Sequence, residues 1–124
     1  MDLNQITLPA LNVDESVAFY QMLGFQQIVA SEGYARFLSQ SGDSTFSLHR
    51  VNKVYAEAEL IIYFEVDDLD ATVVALEAKG IKFESPPKMQ DWLWYEAYLR
   101  DPAGNRICLY HAGENRKHPP WRLA

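Results

Sequence analysis

The chain repeats itself at an offset of 56 residues, and that repeat limits what it can fold into. Asn12-Val13-Asp14-Glu15-Ser16-Val17 is echoed by Asp68-Leu69-Asp70-Ala71-Thr72-Val73, and the same shift carries Tyr20 onto Leu76, Gly24 onto Gly80 and Phe25 onto Ile81. Each copy reads as a strand, a polar helix cap, an amphipathic helix, a closing glycine and further strands. Asn12 is a natural N-cap, with Glu15 three residues on to complete a capping box. Asp68 opens the second helix in the same way. Val13, Val17 and Tyr20 in the first copy, and Leu69, Val73 and Leu76 in the second, fall on one helical face.

Strands follow from apolar and β-branched runs bounded by turn residues. In the first half they are Gln5 to Leu11, Gln26 to Ala30, Tyr34 to Gln40 and Thr45 to Val51. In the second half they are Leu60 to Val66, Lys82 to Glu84, Leu93 to Arg100 and Asn105 to Tyr110, the last two joined by the turn Asp101-Pro102-Ala103-Gly104. The expected fold is α+β: two βαβββ modules whose curled mixed sheets surround a cavity. Residues 1–124 form one domain, with modules at 4–51 and 60–111, a linker at 52–59 and a tail at 112–124. Trp121, in the tail, is expected to pack on the body or on a partner subunit.

Composition removes several functions. The 124 residues carry 48% hydrophobic side chains, enough for a core, and a formal net charge of −6, which repels nucleic acid at long range. The single cysteine, Cys108, allows no internal disulfide. No apolar run is long enough to span a membrane, and no basic segment followed by an apolar run marks a signal peptide. A cytoplasmic protein is expected. Glu57 and Glu59 with Asp67, Asp68 and Asp70 make an acidic group, read as helix caps and solvated linker charges.

Ser16-Val17-Ala18-Phe19-Tyr20 followed by Leu23-Gly24-Phe25 resembles the opening of the vicinal oxygen chelate superfamily, which includes glyoxalases, extradiol dioxygenases and bleomycin-resistance proteins. Val66-Asp67-Asp68-Leu69-Asp70 and Asp101-Pro102-Ala103-Gly104-Asn105 resemble its second-half motifs, so the likeness covers residues 4 to 111. Leu8-Pro9-Ala10, and Trp92 ahead of the last turn, look most like the bleomycin-resistance branch. That branch implies a homodimer that sequesters a small organic molecule without chemistry, and so a role in antibiotic resistance.

The resemblance implies four metal-ligand positions, which fall here on Gln5, Ser47, Ile61 and Cys108. Isoleucine cannot ligate and neutral serine ligates poorly, so the reading is no metal and no cofactor. If those positions face inward, strand alternation brings Thr7, Thr45, His49, Tyr63, Glu65, Arg106 and Tyr110 with them. Trp92, Trp94 and Tyr95 then edge the cavity mouth. The ligand-binding set is His49, Tyr63, Glu65, Trp92, Trp94, Tyr95, Arg106 and Tyr110. His49, oriented by Glu65, is the candidate for acid–base catalysis. His111 and His118 are expected at solvent or an interface. A metal-dependent lyase, isomerase or dioxygenase, or a metal-free enzyme centred on His49, remains the alternative to a binding protein.

Overall fold

A computed structural model describes residues 1–55 and 60–124. Glu57 and Glu59 of the acidic group, and the second half of the 52–59 linker, lie outside the described residues. The chain divides into two compact units. One comprises residues 1–59 with 101–105; the other comprises 60–100 with 106–124.

The first unit holds β1 (Gln5–Ala10), α1 (Val13–Met22), β2 (Gln26–Ser31), β3 (Tyr34–Leu38) and β4 (Thr45–Arg50). Its sheet runs β1-β4-β3-β2, with β1 parallel to β4 and the other pairs antiparallel. Asn12, extended at φ −132°, accepts the Glu15 amide on its side chain at 3.0 Å, as the capping pattern predicts. The buried face of α1 is Ser16, Phe19 and Tyr20 rather than Val13, Val17 and Tyr20. Two adjacent aromatic rings offer more apolar area than two valines, so the helix turns them to the sheet. Tyr20 meets Phe46 at 5.0 Å, and Phe46 stacks on Phe37 at 5.1 Å and 14°. Gly24 closes the helix at φ +99°, and a Cβ there would lie 2.6 Å from the Gln40 amide nitrogen.

The turn 101–105 belongs to this first unit. Asp101, 4% exposed, accepts the Tyr20 hydroxyl (2.7 Å), the Ala103 and Asn105 amides and the Asn105 side chain. Asn105 also donates to the Pro9 carbonyl at 2.8 Å. The buried carboxylate is therefore fully satisfied, which is what allows it to be there. Both burial and the Asp101 carboxylate push the Tyr20 phenol well above its ordinary range.

The second unit holds β5 (Ile61–Glu65), α2 (Leu69–Ala78), β6 (Lys88–Met89), β7 (Tyr95–Arg100) and β8 (Arg106–His111), in the order β5-β8-β7-β6. Asp68 caps α2 on the Ala71 amide at 3.0 Å, and Leu69, Val73 and Leu76 form its buried face as expected. The βαβββ pattern is thus present twice. Most strand bounds shift by a residue or two from expectation, and the sixth and seventh strands change for identifiable reasons. The sixth strand forms at Lys88–Met89, not at Lys82–Glu84. The Glu84 amide bonds the Tyr98 carbonyl at 2.8 Å, but Pro86 and Pro87, with no amide hydrogen, interrupt the ladder between the two segments. The seventh begins at Tyr95, because Leu93 is left-handed at φ 67° and turns the chain out of the extended run. The tail forms a short 3-10 turn at Gly113–Arg116, and Trp121 is 57% exposed within the chain. Among the described residues no helix is long and apolar enough to cross a membrane.

Candidate functional site

Each sheet packs its α-helix on one face. The opposite face is open only in having no α-helix on it among the described residues; it still buries Ser47 in the first unit and Glu96, Cys108 and Tyr110 in the second. In the second unit Ile62, Phe64, Ala97, Leu99, Ile107 and Leu109 share the helix side, so alternation turns Ile61, Tyr63, Glu65, Glu96, Tyr98, Arg106, Cys108 and Tyr110 to the open face. Trp94 stacks on Tyr110 with centroids 4.6 Å apart and planes at 19°. Tyr63 stands edge-on to both, at 5.7 Å and 5.6 Å. The pleat explains the cluster, since Tyr63 and Tyr110 sit on the parallel neighbours β5 and β8.

Beside this aromatic group lies a carboxylate that is 2% exposed, Glu96. It accepts the Tyr98 hydroxyl at 3.0 Å and the Trp92 indole N–H at 3.3 Å. Arg106 lies over the Tyr98 ring at 4.1 Å and bonds Glu84 at 3.2 Å, and Glu84 also takes Arg100. Burial, reinforced by the Glu96 charge, pushes the Cys108 thiol up to about 12. Burial, then Glu65, does the same for the Tyr110 phenol, also to about 12. Cys108 is therefore a neutral thiol at physiological pH and no nucleophile.

The predicted ligand residues separate into groups. Tyr63, Trp94 and Tyr110 come together, and Trp92 and Arg106 border the same face through Glu96 and Tyr98. Tyr95 stands apart. It shares the helix side of β7 with Ala97 and Leu99, and its hydroxyl bonds Asp70 of α2 at 2.6 Å. Glu65, expected to orient His49, is engaged by the Ala112 and Gly113 amides at 2.8 Å each, with Arg116 at 3.6 Å. His111 is exposed and bonds the Val66 carbonyl at 2.8 Å. His49 belongs to the first unit, exposed on β4 opposite Tyr34.

The first unit's open face is polar. Gln5 donates to the Ser47 hydroxyl at 2.8 Å and accepts from Thr45, while Ser47 lies 2.7 Å from the Tyr34 hydroxyl. Arg36 donates its Nε to the Tyr34 oxygen at 3.0 Å. The Ser47 and Arg36 hydrogen bonds together hold the Tyr34 phenol below its ordinary range. On the helix side of this unit a cleft of about 430 Å³ opens where α1 begins, lined by Asn12, Asp14, Glu32 and Arg50 among others.

Glu96, Tyr98, Tyr34 and Arg36 were reachable from sequence. They alternate with Ala97, Leu99, Ala35 and Phe37, whose burial fixes the parity of β7 and β3. Counting inward positions only along β1, β4, β5 and β8 passes over them.

The implied metal positions do not suit a dication. In the second unit Ile61 offers no donor atom, and Cys108 keeps its proton while contacting the Leu109 carbonyl at 3.7 Å. In the first, the Ser47 hydroxyl is fully buried within its hydrogen-bonded row. Among the described residues no group of three or more His, Cys, Asp and Glu side chains converges as a metal site would.

Comparison with known proteins agrees with this architecture. A crystal structure of a bleomycin-binding protein complexed with bleomycin superposes with a TM-score of 0.74 at 23% identity, covering 90% of this chain and 98% of that one. A lactoylglutathione lyase from Agrobacterium tumefaciens superposes with a TM-score of 0.74 at 21% identity, covering 94% and 96%. An uncharacterized protein of Bacillus subtilis (strain 168), YraH, is 36% identical over 56 residues, 44% of either chain, so the match spans under half of that relative. The sequence model of the Glyoxalase/Bleomycin resistance protein/Dioxygenase superfamily matches residues 2–109, and the chain belongs to that superfamily.

Proposed function

We propose that this protein is a metal-free small-molecule binding protein of bleomycin-resistance type, which holds an organic ligand against the aromatic open face of its second sheet. The observation that carries the reading is the Trp94–Tyr110 stack with Tyr63 edge-on, set beside the buried Glu96 carboxylate. Stacked rings present flat π-faces to a planar group, and a carboxylate nearby favours one that is positively charged. The same chemistry argues for sequestration over turnover. Cys108 keeps its proton, Glu65 is tied to the backbone amides of Ala112 and Gly113, and the implied ligand positions lack a competent donor set.

The reading extends to a cytoplasmic homodimer. Strands β1 and β5 are edges of their sheets, and edge strands leave backbone groups that a second copy can pair or cover.

The test is titration with bleomycin and with simple aromatic cations, followed by tryptophan fluorescence and thermal shift. Trp94→Ala is expected to weaken binding by at least about tenfold, the order of one lost stacking contact. Purified protein holding near-stoichiometric zinc, nickel, manganese or iron would overturn the metal-free reading. Sedimentation as a 14.2 kDa monomer at micromolar concentration would overturn the dimer.

A further inference from the structure

The polar face of the first sheet has a hydrogen-bond arithmetic that leaves donors over. Ser47 is fully buried, and its hydroxyl oxygen already accepts from Gln5. Its one hydrogen needs an acceptor, and the Tyr34 oxygen 2.7 Å away is the one on hand. That oxygen also accepts Arg36 Nε at 3.0 Å. With Ser47 assigned as the donor of that bond, both lone pairs of the Tyr34 oxygen are occupied and its phenol hydrogen points elsewhere. Arg36 donates its Nε to Tyr34, with its guanidinium carbon 5.5 Å from the centre of that ring, and makes no ion pair with any carboxylate among the described residues. Its two terminal nitrogens have no hydrogen-bond partner among the described residues, and that edge of a guanidinium is a planar fork matched to a carboxylate.

Both side chains are half-buried and share the open face with Ser47 and His49, since Arg36 pairs with Ser47 and Tyr34 with His49 across β3 and β4. The row is braced from below, because Gln5 is itself held by Thr45. A donor array fixed before the ligand arrives loses little entropy on binding.

We propose that the open face of the first sheet is a carboxylate-binding site, in which the free fork of Arg36 and the phenol hydrogen of Tyr34 grip one carboxylate group of a ligand. The Ser47 and Arg36 donors that hold the Tyr34 phenol below its ordinary range also polarise its O–H, which makes the neutral phenol a stronger donor to an anion. The inference goes beyond the proposed function and uses only residues of the first unit.

The test uses the full chain, with benzoate and inorganic phosphate as probes, read by calorimetry and by the ultraviolet titration of the tyrosines. Benzoate is expected to bind the native protein and to shift the ionisation of the earliest-titrating phenol to higher pH, since the bound anion disfavours a phenolate beside it. Arg36→Gln is expected to weaken benzoate about tenfold, the loss of a charge-assisted fork. Tyr34→Phe, the milder variant, weakens it several-fold and removes the early phenol. Equal benzoate affinity in the native protein and both variants would overturn the site, as would a phenol titration indifferent to benzoate. Phosphate binding more tightly than benzoate, with the same dependence on Arg36, would overturn the assignment to a carboxylate. An aromatic cation read by Trp94 fluorescence should bind both variants unchanged, so failure here is distinct from failure at the aromatic face.

Discussion

The two sheets share one topology and carry opposite chemistry at matched positions. Arg36 faces Ser47 in the first register and Tyr98 faces Cys108 in the second; one step along, Tyr34 faces His49 and Glu96 faces Tyr110. Tyr34 and Arg36 therefore correspond to Glu96 and Tyr98. In both units the pair is joined by a hydrogen bond, from Arg36 to Tyr34 and from Tyr98 to Glu96. The phenol moves from one position to the other, and its partner changes from a guanidinium to a carboxylate. Ser47 and Cys108 match as well, one hydrogen-bonded and one wrapped in apolar contacts. The helix side shows no such divergence, because it must fill a core and admits only side chains that pack. The opposite side carries only a small cluster around Cys108 and Tyr110 in the second unit and a hydrogen-bonded row in the first, and there the duplicated frame acquires two different surfaces.

One exception on the helix side gives the largest expected effect. Tyr20 is buried where the second unit has Leu76, and its hydroxyl ties Asp101 into the first unit. Asp101→Ala is expected to cost about 3 to 5 kcal/mol, since it strips the acceptor from the buried Tyr20 hydroxyl and from the turn amides together. Tyr20→Phe loses one donor and should cost nearer about 1 to 2 kcal/mol. Urea unfolding measures both. Equal and small losses would mean that the two helices are interchangeable after all.

The matched pair Ser47 and Cys108 gives a smaller and pH-dependent effect. The folded Cys108 thiol lies at about 12 against an ordinary 9.0, so the native state resists losing a proton that the unfolded chain gives up readily. The stability involved is fully present below pH 9 and drains away as pH rises from 9.0 toward about 12. The buried tyrosines add the same sign above their ordinary 10.0. Cys108→Ser puts the first unit's residue into the second and removes the thiol. Its stability should be lower near neutrality, by about 1 to 2 kcal/mol for a hydroxyl in an apolar setting, and should stay flat between pH 9 and 10 where the native protein declines. Chemical unfolding at half-unit pH steps would show this. A native profile that is flat to pH 10 would break the account of Cys108.

Much of this frame was legible from the chain, and the reasons are local. Asn12 and Asp68 cap their helices because a short polar side chain three residues before a free amide has few other uses. Leu69, Val73 and Leu76 were legible from periodicity alone. Phe19 was not, because choosing it over Val13 and Val17 depends on the room that Phe37 and Phe46 leave in a sheet assembled from distant segments. The left-handed Leu93 carries no signal, since nothing in a leucine announces φ 67°. Alternation places Glu96 and Arg36 on a face, but what they meet there was hidden for a related reason. Their importance comes from antiparallel partners on β8 and β4, and registers of that kind are non-local.

Tyr95 shows how much one residue of parity decides, and it carries the smallest expected effect. In sequence it follows Trp92 and Trp94 and looks like a third aromatic of one loop. Leu93 ends the turn, β7 starts at Tyr95, and from there alternation sends Tyr95 to the helix side and Glu96 to the open side. Its hydroxyl reaches Asp70 on the solvent-accessible flank of α2, a contact that raises its phenol above the ordinary range. An exposed hydrogen bond of this kind competes with water and contributes little. Tyr95→Phe is therefore expected to leave both the unfolding midpoint and the binding of aromatic cations within error of the native protein, while Trp94→Ala abolishes most of the binding. The two variants lie one position apart and make a direct reading of strand parity. Should Tyr95→Phe weaken ligand binding as Trp94→Ala does, the binding surface would have to include the helix side of β7, and the contrast between the two open faces would lose its basis.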